Sequence, residues 1–469
     1  MMTNSQTVQF DTNLLNKYNK SVPRYTSYPP ATELKTEVKE IDFRGGIIAG
    51  NYKRKPISLY CHIPFCETAC YFCGCNTIIT KNKRIAPLYL DYLIQDIRQT
   101  AALISPARQV NQIHLGGGTP NYLNQPQLER LFSSLVKNFN IDQKAEISIE
   151  INPRYIDKNY IFFLKKLGFN RISFGIQDFN SKVQEAINRI QPESMLFNVM
   201  DWIREAEFEG ANVDLIYGLP FQTLETFKET VRKTIKLNPD RIALFNFAYM
   251  PWLKAAQKNI SETDLPQVAE KLAIFQMTIE KLNCNGYMYI GMDHFAKPND
   301  ELAIAQQEGK LHRNFQGYTT KPESDLFAFG VTAISMLNDV YIQNYKPLKS
   351  YYKALFSGNL PIEKGVSLHR DDIIRRAIIM ELMCQFKLNK SHFEGKYNLQ
   401  FNPDFNFDFD QYFFDELVDL KSLEADGLVK LFSDYIEVTP PGRLLIRNIA
   451  SIFDTYLKRR KEQSFSKAI

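Results

Sequence analysis

ISLYCHIPFCETACYFCGCN, residues 57–76, opens as a β-rich run over 57–63 and then delivers five of the chain's seven cysteines between positions 61 and 76. A strand that runs into a cluster of thiols suits a parallel α/β sheet, where ligands collect at the carboxyl ends of the strands. The strand half of this pattern recurs along the chain. Further β-rich runs lie at 112–117 (QIHLGG), 146–151 (EISIEI), 171–177 (RISFGIQ), 212–218 (NVDLIYG) and 241–248 (RIALFNFA), with YMYIGM at 287–292 as a seventh candidate. Apolar residues at helical spacing fill the gaps, over 88–104, 127–139, 157–167, 193–209, 224–237 and 266–283. Strands alternating with helices imply right-handed crossovers and a parallel sheet, either doubly wound or a full or partial barrel.

The pattern changes after about residue 365. Helical segments at 370–387, 413–426 and 443–457 surround LVKLFSDYIEVTP (428–440), which reads as two short strands joined at Ser433-Asp434. This is a mostly helical, winged-helix-like module. Asp404, Asp408, Asp410, Asp415 and Glu416 crowd it without any basic stripe, so a nucleic-acid partner is not expected and a lid or packing role is. The basic run Lys458 to Lys461 reads as a solvated helix end. The first fifty residues lack periodicity but contain VPRYTSYPP (22–30), read as an extended arm packed on the barrel. The expected organisation is thus an arm over 1–50, a barrel domain over 51–365 and a C-terminal domain over 366–469.

Composition narrows the class further. A net charge of +5, from 57 Lys and Arg against 52 Asp and Glu, is too mild to mark nucleic acid and does not oppose an anionic substrate. No leader and no membrane-length apolar run is evident, so a cytoplasmic protein is expected, and a monomer by default. In a reducing compartment clustered cysteines hold metal more readily than they form disulfides.

Cys66, Cys70, Cys73 and Cys75 form C-x-x-x-C-x-x-C-x-C. Structural zinc draws two ligand pairs from separate turns, and no second pair follows; Cys284 and Cys384 stand alone and, with Cys61, are expected to be buried core thiols. A 4Fe-4S cluster on one compact loop fits better. Ligation by both Cys73 and Cys75, one residue apart, is awkward, whereas 66, 70 and 73 wrap one loop around three irons and leave the fourth open. At the other strand ends, Gly116, Gly117 and Gly118 allow a ligand close to the backbone, although each glycine costs roughly 0.5–1 kcal/mol relative to alanine in regular structure. The run matches neither phosphate-binding glycine pattern. Glu150, at a strand end, suits an ammonium or a ribose hydroxyl, and Asp214, between Val213 and Leu215, needs a partner of its own.

The C-x-x-x-C-x-x-C triplet after a first barrel strand resembles the radical S-adenosylmethionine (radical SAM) superfamily. With HLGGGTPNYL, ISIEINPR, FGIQDFN, NRIQ, VDLIYGLP, GMDHFA, LHRNFQGYTT and PRYTSYP, the chain from about residue 20 onward resembles the oxygen-independent coproporphyrinogen III oxidase (dehydrogenase) family of haem biosynthesis. The resemblance implies a partial (β/α) barrel, one 4Fe-4S cluster on Cys66, Cys70 and Cys73, and two SAM molecules. The first SAM would meet Tyr60, Phe72, Gly117, Glu150 and Ile334. The second would meet Gly118, Thr119, Gln177, Arg189, Asp214 and Ala248. Cys75, Phe315 and Gln316 would lie near the substrate, and Tyr25 to Tyr28 would close over it. The resemblance departs at Tyr249, where a histidine is expected. The implied reaction turns two propionates of coproporphyrinogen III into vinyl groups, with an electron donor such as a flavodoxin or ferredoxin and with cations, Arg24 and Arg313 among the candidates, pairing the substrate carboxylates. Two other classes compete. An electron carrier would use Cys75 as a fourth ligand and needs no triglycine loop; a radical SAM haem chaperone would lack the extra cysteine of CGCN.

Overall fold

The computed structural model describes residues 8–401 and 407–459. They divide into two compact units: a barrel unit of 33–285 and 323–367, and a second unit from the described parts of 1–32, 286–322 and 368–469.

The barrel unit is built on β1 (Ile57–Ile63), β2 (Gln109–Gly117), β3 (Asn140–Ile151), β4 (Arg171–Gln177), β5 (Gly210–Tyr217) and β6 (Arg241–Asn246). They pair in parallel, in chain order. Helices Ile85–Ala101, Gln125–Asn138, Lys158–Leu167, Glu193–Glu205 and Leu224–Leu237 make the crossovers. Their ends follow from local chemistry. Asn124 and Gln127 cap each other reciprocally at 3.0 and 3.1 Å, and Gly168, at φ 104°, ends the third helix in a conformation open to glycine.

On the other side of β1 the sheet continues with β7 (Asp325–Phe329), parallel to β1, and then β8 (Ile334–Met336), β9 (Val340–Asn344) and β10 (Ile362–Ser367), all antiparallel. No pairing joins β6 to β10 among the described residues, so the sheet is an open, partial barrel. The seventh strand expected at YMYIGM forms, but it is antiparallel and not a member of the parallel run. Met288–Gly291 forms an antiparallel hairpin with His294–Ala296 in the second unit, and the parallel neighbour of β1 is DLFAF instead. All five residues of β7 are buried, so it lacks the polar alternation that marks a strand in sequence.

Two buried carboxylates hold β7 in place. At its start, Asp325 meets the fully buried Arg108 at 2.6 Å, while Arg108 Nε also donates to the Lys55 carbonyl at 2.7 Å. Beyond its end, Asp96 of the first crossover helix accepts from the Gly330 N–H (3.1 Å), the Tyr351 hydroxyl (2.8 Å) and the Asn344 amide (3.3 Å), all on one oxygen.

In the second unit, Val429–Leu431 and Tyr435–Val438 pair as expected, and Lys387–Asn389 adds a third antiparallel strand. The single helix expected over 443–457 is broken. Leu445, at φ −105° and ψ 20°, leaves the helical region, giving Pro440–Leu444, Ile446–Ser451 and Thr455–Arg459. The acidic residues near this module act within it: Glu416 pairs with Arg375 at 2.8 Å, Asp410 with Lys390 at 2.7 Å, and Asp408 caps a helix. Asp404, Arg460 and Lys461 lie outside the described residues. The arm is bonded to the C-terminal helices: Tyr25 donates to Asp454 at 2.9 Å, Asn448 to the Tyr18 carbonyl at 2.9 Å, and Arg447 to the carbonyls of Val22 and Pro23. Among the described residues no helix is long and apolar enough to cross a membrane.

Two stability predictions follow from the carboxylates. Arg108→Ala leaves Asp325 buried with only Lys55, 3.8 Å away, for compensation, and is expected to cost about 3–5 kcal/mol in urea unfolding. Burial pushes Asp96 up to about 7, only partly offset by its donors, from an ordinary value of 3.8. Between these values the folded state keeps a proton that the unfolded state has lost, so stability falls as pH rises through that window. Asp96→Asn keeps an acceptor for the same donors and removes this share of the slope; urea midpoints at pH 5 and pH 8 check it, and equal slopes in both proteins refute it.

Candidate active site

The loop that leaves β1 carries the thiols and is fastened at several points. Phe65–Cys66 pairs in parallel with Ile78–Ile79. At its base the His62 ring lies 3.1 Å from the Tyr60 hydroxyl through Nδ1 and 3.1 Å from the Asn76 carbonyl through Nε2. Burial holds this imidazole below its ordinary value, and the neutral ring serves both contacts, donating to Asn76 and accepting from Tyr60. In mid-loop, Asn188 donates to the Ala69 carbonyl at 2.7 Å and the Tyr71 N–H to the Ile187 carbonyl at 3.0 Å.

Cys66, Cys70 and Cys73 are half-buried on this loop, and Cys75 is exposed. Two guanidiniums reach Cys70 Sγ, Arg189 at 3.4 Å and Arg154 at 3.5 Å, and Cys66 Sγ lies 3.2 Å from the Thr119 hydroxyl. Burial pushes the Cys66 thiol up to about 11, with Cys73 and Cys70 close enough to add to it. A hydrogen bond with Cys75 pulls Cys73 down to about 6. Among the described residues no group of three His, Cys, Asp or Glu side chains is set to hold a single metal ion. Zinc would gather its ligands about 2.3 Å from one centre. Neighbouring thiols on separate points of one loop, flanked by cations that offset thiolate charge, fit the corners of an iron–sulfur cluster instead. Cys61 and Cys384 are buried as expected, but Cys284 is exposed, because it is the last residue of helix Val268–Cys284.

The other strand ends gather around this loop within the barrel unit. Glu150, near the end of β3, accepts from the Gly117 N–H at 3.2 Å and lies 3.3 Å from His114 Nε2. Burial raises this carboxyl, but His114 and the Gly117 N–H outweigh burial and leave it below its ordinary value. Asp214 has less help. Burial and the charge of Glu150 push it up to about 7, against one bond from Asn212 at 3.0 Å and the pull of Arg189. Tyr60 stacks on His114, ring centres 5.8 Å apart.

The glycines are occupied by geometry. A Cβ on Gly117, at φ 117°, would stand 2.5 Å from His62 Nδ1, and one on Gly118 would stand 2.8 Å from the Pro64 backbone. Gln177, at φ 68°, sits where the β4–β5 register shifts. Its Oε1, Arg189 Nε and Asn246 Oδ1 are buried without a partner, as expected of polar atoms that await a polar ligand. Gln257 brings Ala248 and Phe72 together by donating to both carbonyls, at 3.1 and 3.4 Å. Phe72 and Tyr249 pack on the apolar cluster of Val183, Ile187, Ile216, Leu219, Phe247 and Ile260, and the Tyr249 hydroxyl donates to the Ile260 carbonyl at 3.0 Å. Ile334 begins β8 and is half-buried. Phe315 and Gln316 lie in the second unit, between the hairpin strands His312–Asn314 and Gly317–Thr319.

Sequence reading missed His114, Arg154, Asn212 and Gln257. His114 carried a signal, standing two residues before Gly116 on the same face of β2; Arg154 stood in ISIEINPR without any sign that it points at a thiol.

A curated oxygen-independent coproporphyrinogen III oxidase from Synechocystis sp. is 62% identical over 470 residues, covering 100% of each chain. The chain belongs to the oxygen-independent coproporphyrinogen III oxidase family. The family's protein of that name from Escherichia coli strain K12 is 47% identical over 465 residues, 99% of each chain. A solved structure described as "Coproporphyrinogen III oxidase (HemN) from Escherichia coli is a Radical SAM enzyme" superposes with a TM-score of 0.90 at 46% identity, covering 96% of this chain and 100% of that one. Residues 60–234 match the Radical SAM superfamily model, and 368–445 match the HemN C-terminal domain model. Membership in the superfamily implies a 4Fe-4S cluster and SAM.

With Cys66, Cys70 and Cys73 as ligands and Cys75 outside the set, serine at 66, 70 or 73 is expected to abolish the visible and EPR signals of the reconstituted cluster, whereas Cys75→Ser keeps them. Loss of those signals in Cys75→Ser would make Cys75 a ligand.

Proposed function

We propose that the chain catalyses the oxygen-independent oxidative decarboxylation of two propionate side chains of coproporphyrinogen III to vinyl groups, giving protoporphyrinogen IX, with two SAM consumed. Supporting this reading above all is the meeting, at the ends of parallel strands, of a three-thiol loop with a ligand rim of glycines, acids and Arg189, in a chain that matches oxidases of this name along its full length. Each propionate loses a β-hydrogen atom to the radical, then carbon dioxide, and passes one electron to an external one-electron acceptor. Acid–base groups cannot start this, because the β-carbon is unactivated. Bound together, the cluster and SAM supply a 5′-deoxyadenosyl radical, which takes hydrogen from such carbons.

The chain's residues prepare this chemistry. Cys66, Cys70 and Cys73 would hold the cluster and leave it open to SAM. Glu150, kept ionised by His114 and the Gly117 N–H, meets an ammonium group, and Gly117 lets the ligand lie against the backbone. Tyr60, Phe72 and Ile334 complete this first SAM site. Gly118, Thr119, Gln177, Arg189, Asp214 and Ala248 form the second, where the unpartnered Arg189 Nε and Gln177 Oε1 find their bonds. Cys75, Phe315 and Gln316 stand near the substrate. The apolar cluster under Phe72 keeps water from the radical. A flavodoxin or ferredoxin reduces the cluster, and the enzyme works as a cytoplasmic monomer.

The test is anaerobic. Reconstituted protein with dithionite, SAM and coproporphyrinogen III is expected to form protoporphyrinogen IX and two 5′-deoxyadenosines per product, by way of a monovinyl intermediate. Formation of neither product rejects the reading.

A further inference from the structure

The second unit holds a buried cation that nothing in it neutralises. Arg313 lies in the middle of the short strand His312–Asn314, opposite Tyr318 in the hairpin register. It is 2% exposed, and its guanidinium carbon stands 4.6 Å from the centre of the Tyr318 ring. Its Nε and Nη1 make no hydrogen bond. Its interactions are with the ring and hydroxyl of Tyr318, and that hydroxyl is kept uncharged by burial.

Burying a guanidinium is costly unless acceptors or an opposite charge meet it. The other buried arginines obey this rule. Arg108 has Asp325, Arg375 has Glu416 and Asp371, Arg447 has the Val22 and Pro23 carbonyls, and Arg189 has the Gly175 carbonyl and Cys70. Arg24, the other cation considered for substrate carboxylates, is already paired with Asp293. Arg313 has no ion pair among the described residues. One further unmet donor stands on the same hairpin: Gln316 Nε2 is buried without a partner, and the Gln316 backbone N–H is used locally, on Asn314 Oδ1 at 2.8 Å.

Unmet donors with no acceptor among them call for an acceptor-rich anion. The planar fork of a guanidinium matches a carboxylate through two parallel N–H bonds. We propose that Arg313, with Gln316 beside it on the hairpin, anchors a propionate carboxylate of the porphyrinogen substrate. This rests on the reaction proposed above, which brings a ligand with four such groups. Arg24 is thereby left to fix Asp293, and Arg313 becomes a determinant of specificity for the free acid.

Full-length protein with its cluster reconstituted is titrated anaerobically with coproporphyrin III, the stable oxidised form of the substrate, and with its tetramethyl ester, by quenching of porphyrin fluorescence. The native protein is expected to prefer the acid. Arg313→Met weakens acid binding about tenfold or more and leaves ester binding unchanged, while Arg313→Lys, which keeps the charge without the fork, falls between. The thermal midpoint of Arg313→Met does not fall below the native value, because the substitution removes a buried charge that has no ion pair among the described residues. The proposal is overturned if the native protein does not distinguish acid from ester, if Arg313→Met binds the acid as tightly as the native protein, or if it loses acid and ester equally. It is also overturned if SAM cleavage falls instead of porphyrin binding, which would assign Arg313 to the carboxylate of SAM. An Arg313-dependent preference for the acid without any vinyl product supports this anchor while rejecting the proposed reaction, so the two failures are distinct.

Discussion

The thiol loop keeps its shape because one neutral imidazole closes it. His62, still on β1, donates to the carbonyl of Asn76, fourteen residues on, and takes a hydrogen bond from Tyr60 at its other nitrogen. Burial disfavours the charged ring, and the neutral ring serves both contacts. Neighbouring elements are cut to fit this ring. Gly117 has no Cβ because His62 Nδ1 occupies that space, and Tyr89 of the first crossover helix donates to the His62 carbonyl at 2.7 Å. The same glycine then gives its N–H to Glu150. One ring thus couples the cysteine loop, the glycine turn and the acid on the third strand.

The acids of the rim show how position sets charge. Glu150, near the end of β3, and Asp214, within β5 on the far side of β4, are both carboxylates, yet they are pushed in opposite directions. Glu150 has a backbone N–H and an imidazole; Asp214 has a single amide and feels its neighbour's negative charge. The rim therefore offers one firm negative charge and one group half-protonated near neutrality. That suits a ligand with cationic and hydroxyl groups better than two fixed charges would.

Much of this was legible in the sequence, and the misses share a physical cause. The parallel strands up to residue 246 and their crossovers alternate with short connections, so local periodicity marks them. The cysteine spacing, the placement of Glu150 and Gln177 at strand ends and that of Asp214 within the fifth strand follow from the same rule. What escaped depends on distant partners. DLFAF is buried on both faces and reads as neither strand nor helix; YMYIGM has strand character, but nothing local tells it to turn back on His294–Ala296. Arg154 and Gln257 act on the cysteine loop from far along the chain, at contacts no spacing reports. Arg24 and Arg313 looked alike as sequence, and only Asp293 separates them.

The arm has a consequence for the order in which the molecule is made. Tyr25 donates to a residue 429 positions later, and Asn448 reaches back 430 positions to the Tyr18 carbonyl. At about 5–20 residues per second on the ribosome, these first residues wait roughly 20–90 s for their partners. Residues 33–285 of the barrel unit emerge as one uninterrupted segment long before that. The aromatic stretch around Tyr25 and Tyr28 therefore spends most of synthesis without its final contacts, and the last helices to be translated are the ones that complete the unit begun by the first residues.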